Sequence, residues 1–116
     1  MLIRIDPLRE EPVFAQLAAS IRADVVAGRT RQGDRLPAAK QVASALGVNL
    51  HTVLHAYQQL RDEGLVDMRP GRGAVITDAA ERMSELHDDI RALAARAETL
   101  GVPRDVLAGL VRDART

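Results

Sequence analysis

Residues 42–76 read VASALGVNLHTVLHAYQQLRDEGLVDMRPGRGAVI, and their glycines and one Pro-Gly turn cut the stretch into short elements. Val42, Ala43 and Leu46 recur at helical spacing in a helix from about Ala38 to Leu46. Gly47 suits the left-handed residue that ends such a helix. Asn49 then stands where a side-chain oxygen can accept an orphan backbone N–H, the N-cap of a second helix. That helix buries Val53, Ala56 or Tyr57, and Leu60, and stops near Glu63-Gly64. Leu65, Val66 and Met68, then Pro70-Gly71-Arg72-Gly73, then Ala74, Val75 and Ile76 read as a hairpin around a tight turn. Two helices joined by Gly47-Val48-Asn49 and followed by a hairpin form a helix-turn-helix with a wing.

Upstream, Phe14, Leu17, Ile21 and Val25 make one apolar helical face, opened near Pro12 and closed near Gly28. Leu2, Ile3 and Ile5 suggest a short extended arm before it, and Arg29 to Pro37 read as polar loop. Downstream, Met83, Leu86, Ile90, Leu93, Ala97 and Leu100 alternate steps of three and four, a heptad-like seam on one long helix capped by Asp78. Pro103 opens a last helix striped by Val106 or Leu107, Leu110, Val111 and Ala114. The fold expected is mostly α with a small β-wing. A winged helix-turn-helix domain occupies residues 1–77, and a two-helix dimerisation segment occupies 78–116. An isolated helix of that length is marginal in water, so a second subunit is the natural cover for the seam and for Leu107, Leu110 and Val111.

Composition narrows the function. The 116 residues contain no cysteine, which removes disulfides, thiolate metal sites and cysteine nucleophiles, and fits a cytoplasmic protein. No apolar run is long enough for a membrane span, and residues 1–12 lack a signal-peptide core. Aromatics are only 2%, so Phe14 and Tyr57 are assigned to a core otherwise built of aliphatic residues. Net charge is zero, yet Gly28 to Arg72 carries seven basic against four acidic residues, a weak bias in the segment that matters. No phosphate loop, paired carboxylate or nucleophile–base arrangement is present, which argues against an enzyme, and no cofactor is indicated.

A helix about 10–12 Å across enters the major groove of B-DNA and presents its first turns to base edges. Here those residues are Asn49, Leu50, His51, Thr52 and His55, with Lys40 placed for phosphate and Arg69 and Arg72 flanking the wing's Gly71. Each has a plainer reading. Asn49 caps a helix with or without DNA, His51 and His55 have the i, i+4 spacing of a metal pair, and the wing arginines also suit a solvated turn. No metal site is expected, since neither cysteine nor nearby carboxylates support one. The rival from another class is a winged helix that binds protein instead of DNA.

Gly33-Asp34-Arg35-Leu36-Pro37, Val42-Ala43, Leu46-Gly47-Val48-Asn49, Thr52-Val53, Ala56-Tyr57, Leu60, Glu63-Gly64-Leu65-Val66 and Gly71-Arg72-Gly73 together resemble the DNA-binding domain of the GntR family of bacterial regulators. Pro12, Phe14, Gln16-Leu17, Ile21 and Gly28 extend the resemblance upstream. The short helical tail is similar to the YtrA-like subfamily, whose tails dimerise and whose members often accompany transporter operons. The resemblance implies base-reading positions at Asn49, Leu50, His51, Thr52 and Leu54, a basic contact at Lys40, and wing contacts at Gly71 and Arg72. Arg35 joins this DNA-facing set. Many relatives carry arginine where this chain has Leu50 and Leu54, so its operator differs from theirs. The implied activity is transcription regulation, by repression, from a homodimer on a palindromic operator. A small-molecule effector acting between tail and wing domain fits the same scheme.

Overall fold

The computed structural model describes residues 3–115. Helix α1 (Val13–Val26) buries Leu17, Ala18, Ile21 and Val25, the apolar stripe read from the sequence. Helix α2 (Ala39–Leu46) ends at Gly47, whose φ of 68° is left-handed. A β-carbon there would meet nothing within 4 Å, so backbone conformation alone favours glycine. Helix α3 (Leu50–Asp62) follows, and its Val53, Ala56, Tyr57 and Leu60 are all buried. Strands β1 (Val66–Arg69) and β2 (Gly73–Ile76) pair antiparallel, with Val66 opposite Ile76 and Arg69 opposite Gly73. Helix α4 (Ala79–Glu85) closes the first unit.

Helix α3 is the hub, packed by α1, α2 and β1, while α4 lies on α1. The shared core joins Leu17, Ile21 and Val25 to Leu36, Val42, Val53, Leu60, Leu65 and Ile76. At about 25 cal/mol per Å² of apolar surface removed from water, this burial is the main force holding the elements together.

Polar anchors then set the relative positions. The Tyr57 hydroxyl donates to the Pro37 carbonyl at 2.6 Å and so ties α3 to the entry of α2. Burial pushes its phenol up to about 12, so it remains a donor at any ordinary pH. Arg22 on α1 grips Glu63, the C-cap of α3, through Nε–Oε1 at 2.7 Å and Nη2–Oε2 at 2.8 Å. The buried amide of Gln16 is fully used. Its Oε1 accepts from the Asp6 N–H, and its Nε2 donates to the carbonyls of Asp6 and Glu11. That amide pins the N-terminal arm, where Ile3 and Ile5 pack on the core. Leu2, expected in the same arm, lies outside the described residues.

Four expectations change. First, residues 33–36 are not free loop. Arg35 forms an antiparallel bridge with Val75, flanked by Leu36 N–H to Ala74 O and Ile76 N–H to Asp34 O, each at 2.9 Å. A polar sequence carries no strand period, so this third edge was invisible. Second, Thr77 rather than Asp78 caps α4, its Oγ1 accepting from the Ala79 N–H at 3.3 Å.

Third, the long seam helix is interrupted at Leu86. Helix α4 ends at Glu85, and α5 (His87–Thr99) begins one residue later. No glycine or proline marks the break, so the apolar period runs straight through it. Fourth, because α4 packs on α1, the chain divides into compact units after Glu85 instead of after Thr77. Met83, assigned to the dimer seam, packs on the first unit's core and is half-buried in the single chain.

The second unit, from Leu86, holds α5 and α6 (Arg104–Asp113). Ala97 is buried within the single chain and Leu107 is half-buried. Leu86, Ile90, Leu93, Leu100, Leu110 and Val111 remain 45–68% exposed.

Replacing Tyr57 by phenylalanine leaves the Pro37 carbonyl without its donor. The expected loss is about 1 kcal/mol, a drop in Tm of roughly 4–8 °C, read by calorimetry. The Arg22 guanidinium, chiefly by hydrogen bonding, holds the Glu63 carboxyl below its ordinary 4.5. The pair therefore contributes stability above pH 4.5 and loses it as pH falls through the depressed value, while Arg22 stays charged. Both side chains are about a third exposed, so the effect is at most about 1 kcal/mol. Denaturant titrations should show Glu63→Gln less stable than wild type at pH 7, with the gap closing below pH 4. A constant gap would mean the loss is packing, not charge.

Candidate nucleic-acid interface

Burial on three sides leaves α3 one open face, and the residues on it follow from helical geometry. Its first turn begins at Asn49, extended at φ −67° and ψ 139°, whose Oδ1 accepts from the His51 N–H at 2.7 Å. The cap therefore uses one acceptor of the Asn49 amide and leaves both N–H donors available. His51 is exposed, and Thr52 and Leu54 are half-buried. Leu50 packs partly on the core, which limits how far it can reach outward.

His55 makes a contact that its spacing does not announce. Its ring stacks on Phe14 of α1, with centroids 3.9 Å apart and an interplanar angle of 17°. Phe14, assigned to the core, is only half-buried and serves as this platform. The stack joins α1 to the flank of α3 and uses one face of the imidazole, while His55 as a whole stays exposed. One turn beyond Leu54 on the open side stands Gln58, exposed and not singled out from the sequence. The i, i+3, i+7 progression from His51 through Leu54 was the signal that could have found it. Its amide offers the donor and acceptor pair that suits adenine N6 and N7.

Lys40 is exposed in the first turn of α2, just after the Pro37 carbonyl anchored by Tyr57. At the wing, Pro70-Gly71-Arg72 forms the loop between β1 and β2, and Gly71 adopts a φ of 77°. Three arginines surround this loop in different states. The Nε of Arg69 donates to Asp67 Oδ2 at 3.1 Å, which offsets its charge. The Nε of Arg35 donates to the Arg72 carbonyl at 3.0 Å. The Arg72 side chain makes no hydrogen bond or ion pair with another described residue.

The structure thus brings Arg35 to Arg69, Gly71 and Arg72 around one hairpin, and sets Asn49, His51, Thr52 and Leu54 on the first turns of one helix. His55, exposed one turn on, carries the Phe14 stack on one ring face. Such an arrangement offers hydrogen-bonding groups from a helix start and a guanidinium from an exposed turn. Both are elements of groove recognition. Among the described residues no three His, Asp or Glu side chains cluster to hold a metal, and no helix is long and apolar enough to cross a membrane.

Known proteins share this organisation. The family described as "Bacterial regulatory proteins, gntR family" matches residues 14–76. The HTH-type transcriptional repressor YtrA of Bacillus subtilis is 28% identical over 112 residues, 91% of this chain and 86% of its own. The transcriptional regulator Rv1152 of Mycobacterium tuberculosis is 36% identical over 83 residues, 67% of this chain and 69% of its own. Among solved structures, YtrA from Sulfolobus acidocaldarius, a GntR-family transcription factor, superposes with a TM-score of 0.62 at 31% identity, covering 85% of this chain and 99% of that one. A GntR family regulator from Listeria monocytogenes shows the same fold at TM-score 0.64 and 23% identity, over 96% of this chain and all of that one. The α2–turn–α3 unit with its wing, and the match over most of the chain's length, make this protein a member of the GntR family, a transcriptional regulator with a DNA-binding helix-turn-helix and a YtrA-like short tail.

Proposed function

We propose that this regulator is a cytoplasmic repressor that binds a palindromic operator as a homodimer. One observation carries the reading. The first turns of α3 present unspent polar groups at Asn49, His51 and Thr52, on the same domain as a wing tip whose Arg72 guanidinium has no partner among the described residues. A wing built only for packing has no use for a free arginine at its tip.

In this scheme the start of α3 enters the major groove. His51 and the Asn49 amide meet purine edges, Thr52 reaches phosphate or a thymine methyl, and Leu54 meets a thymine methyl where relatives carry a guanidinium. Lys40 neutralises phosphate, and Arg69, Gly71 and Arg72 approach the backbone or minor groove. The exposed Leu86, Ile90, Leu93, Leu100, Leu110 and Val111 support dimerisation, because these six, with Val106 also exposed, are many large apolar side chains for so small a unit and call for a covering surface. A two-fold pair of α3 helices reads two half-sites about one DNA turn apart. Repression is supported by the name of the Bacillus relative.

Genome-wide recovery of bound DNA should yield one short palindrome, with occupancy falling about tenfold in Arg72→Ala, the loss of one good guanidinium contact. Diffuse recovery equal in both proteins would refute sequence-specific binding. Sedimentation should give twice the chain mass for the wild type. The pair Ile90→Glu and Leu93→Glu should give the single mass and bind the operator at least tenfold more weakly, because two half-sites then bind independently. A wild type that sediments as a monomer on its operator would overturn the homodimer.

A further inference from the structure

The wing tip is held from outside the hairpin. Arg35 stands on the segment bridged to Val75, and its neighbours fix its backbone through Leu36 N–H to Ala74 O and Ile76 N–H to Asp34 O. From this fixed post its Nε reaches the carbonyl of Arg72, 37 positions along the chain, at 3.0 Å. The loop it grips has little else to order it. Pro70, Gly71 and Arg72 are all exposed, and the other hydrogen bond at the tip is local, from Arg72 N–H to Arg69 O at 3.1 Å.

We propose that Arg35 is a positioning residue for DNA recognition: it orders the 70–72 loop so that the Arg72 side chain is already aimed when the duplex arrives. The inference rests on the DNA-binding reading above and gives Arg35, first counted in the DNA-facing set, the role of wing clamp. A tip ordered before binding loses less freedom on contact, and the difference appears as affinity. The donor in use is Nε, and its acceptor is a neutral carbonyl, so the clamp requires an N–H at that distance and not a positive charge. A phosphate contact requires the reverse.

That contrast makes the two roles separable. In glutamine, Nε2 stands the same number of bonds from Cα as the Nε of arginine, so Arg35→Gln keeps a donor and discards the charge. Arg35→Met keeps the length and discards both. Operator affinity is measured by fluorescence anisotropy across a salt series for both variants, alone and combined with Arg72→Ala, with thermal unfolding as the check on folding. Arg35→Gln should bind within about twofold of wild type and Arg35→Met about tenfold more weakly, at unchanged Tm, since only the latter releases the Arg72 contact. Once Arg72 is alanine, the two Arg35 variants should bind alike, because coupled residues are not additive. Equal losses in both variants, with the salt slope reduced by about 0.9, would identify a direct phosphate contact and overturn the clamp. Full affinity in Arg35→Met would overturn it as well. Failure of the wild type to bind any operator is a separate result, visible before any variant is made, and would remove the DNA-binding reading itself.

Discussion

The burial of α3 on three sides is the constraint from which the rest of the molecule follows. Val53, Ala56, Tyr57 and Leu60 face α1, α2 and β1, so the helix can neither rotate nor slide without exposing part of that set. Its outward residues are then those which the 3.6-residue period leaves over: His51, Leu54 and Gln58, with Asn49 at the cap. The reading surface is in this sense a by-product of the core. A change of one residue in the register of α3 would bring different side chains outward while keeping the same fold.

Directional contacts refine what the core leaves loose. Apolar packing resists separation but tolerates small slips, whereas hydrogen bonds at 2.6–2.8 Å do not. Tyr57 locks α3 to Pro37, just ahead of α2, and the Arg22–Glu63 pair locks the far end of α3 to α1. Phe14 and His55 meet nearer the start of both helices. The two helices run parallel, since 14 and 22 on α1 lie beside 55 and 63 on α3, an equal advance along both. These ties cost little, because each uses groups that are either partly solvated or fully paired. Asp24 is an exception of degree: its Oδ1 accepts from Arg29 at 2.8 Å, while Oδ2 is buried with no hydrogen-bond partner among the described residues.

Much of this was legible because the decisive signals are local. The glycine at 47, the asparagine at 49 and the Pro-Gly turn at 70–71 act through their own backbone preferences, and each falls where its chemistry says. What escaped is non-local or aperiodic. The bridge between Arg35 and Val75 joins a polar segment to a strand 40 positions away, and no residue type announces it. The break at Leu86 has no helix-breaking residue; it lies where a helix committed to α1 gives way to the next unit. Spacing placed His55 on the reading face, but spacing cannot register that Phe14 of another helix lies beneath its ring. Gln58 stands in the third turn of α3, beyond the N-terminal turns that a recognition helix is expected to present to base edges.

The distribution of charge ties these features to recognition. Non-specific attraction to DNA scales with the phosphates a protein neutralises, and this chain has no net charge to spend on them. Its wing carries Arg69 beside Asp67 and Arg35 against a carbonyl, so the free guanidinium at the tip belongs to Arg72. Leu50 and Leu54 put apolar side chains, not charge, in the first turns of α3. A protein so arranged gains little affinity from the general field of the duplex. In the proposed mode, discrimination comes instead from hydrogen bonds and methyl contacts made in the right geometry, and from two copies of them in the proposed dimer. That places a premium on order before contact, and it gives the clamp on the wing and the ties on α3 a common purpose: where few charges are available, each contacting group has to be in place already.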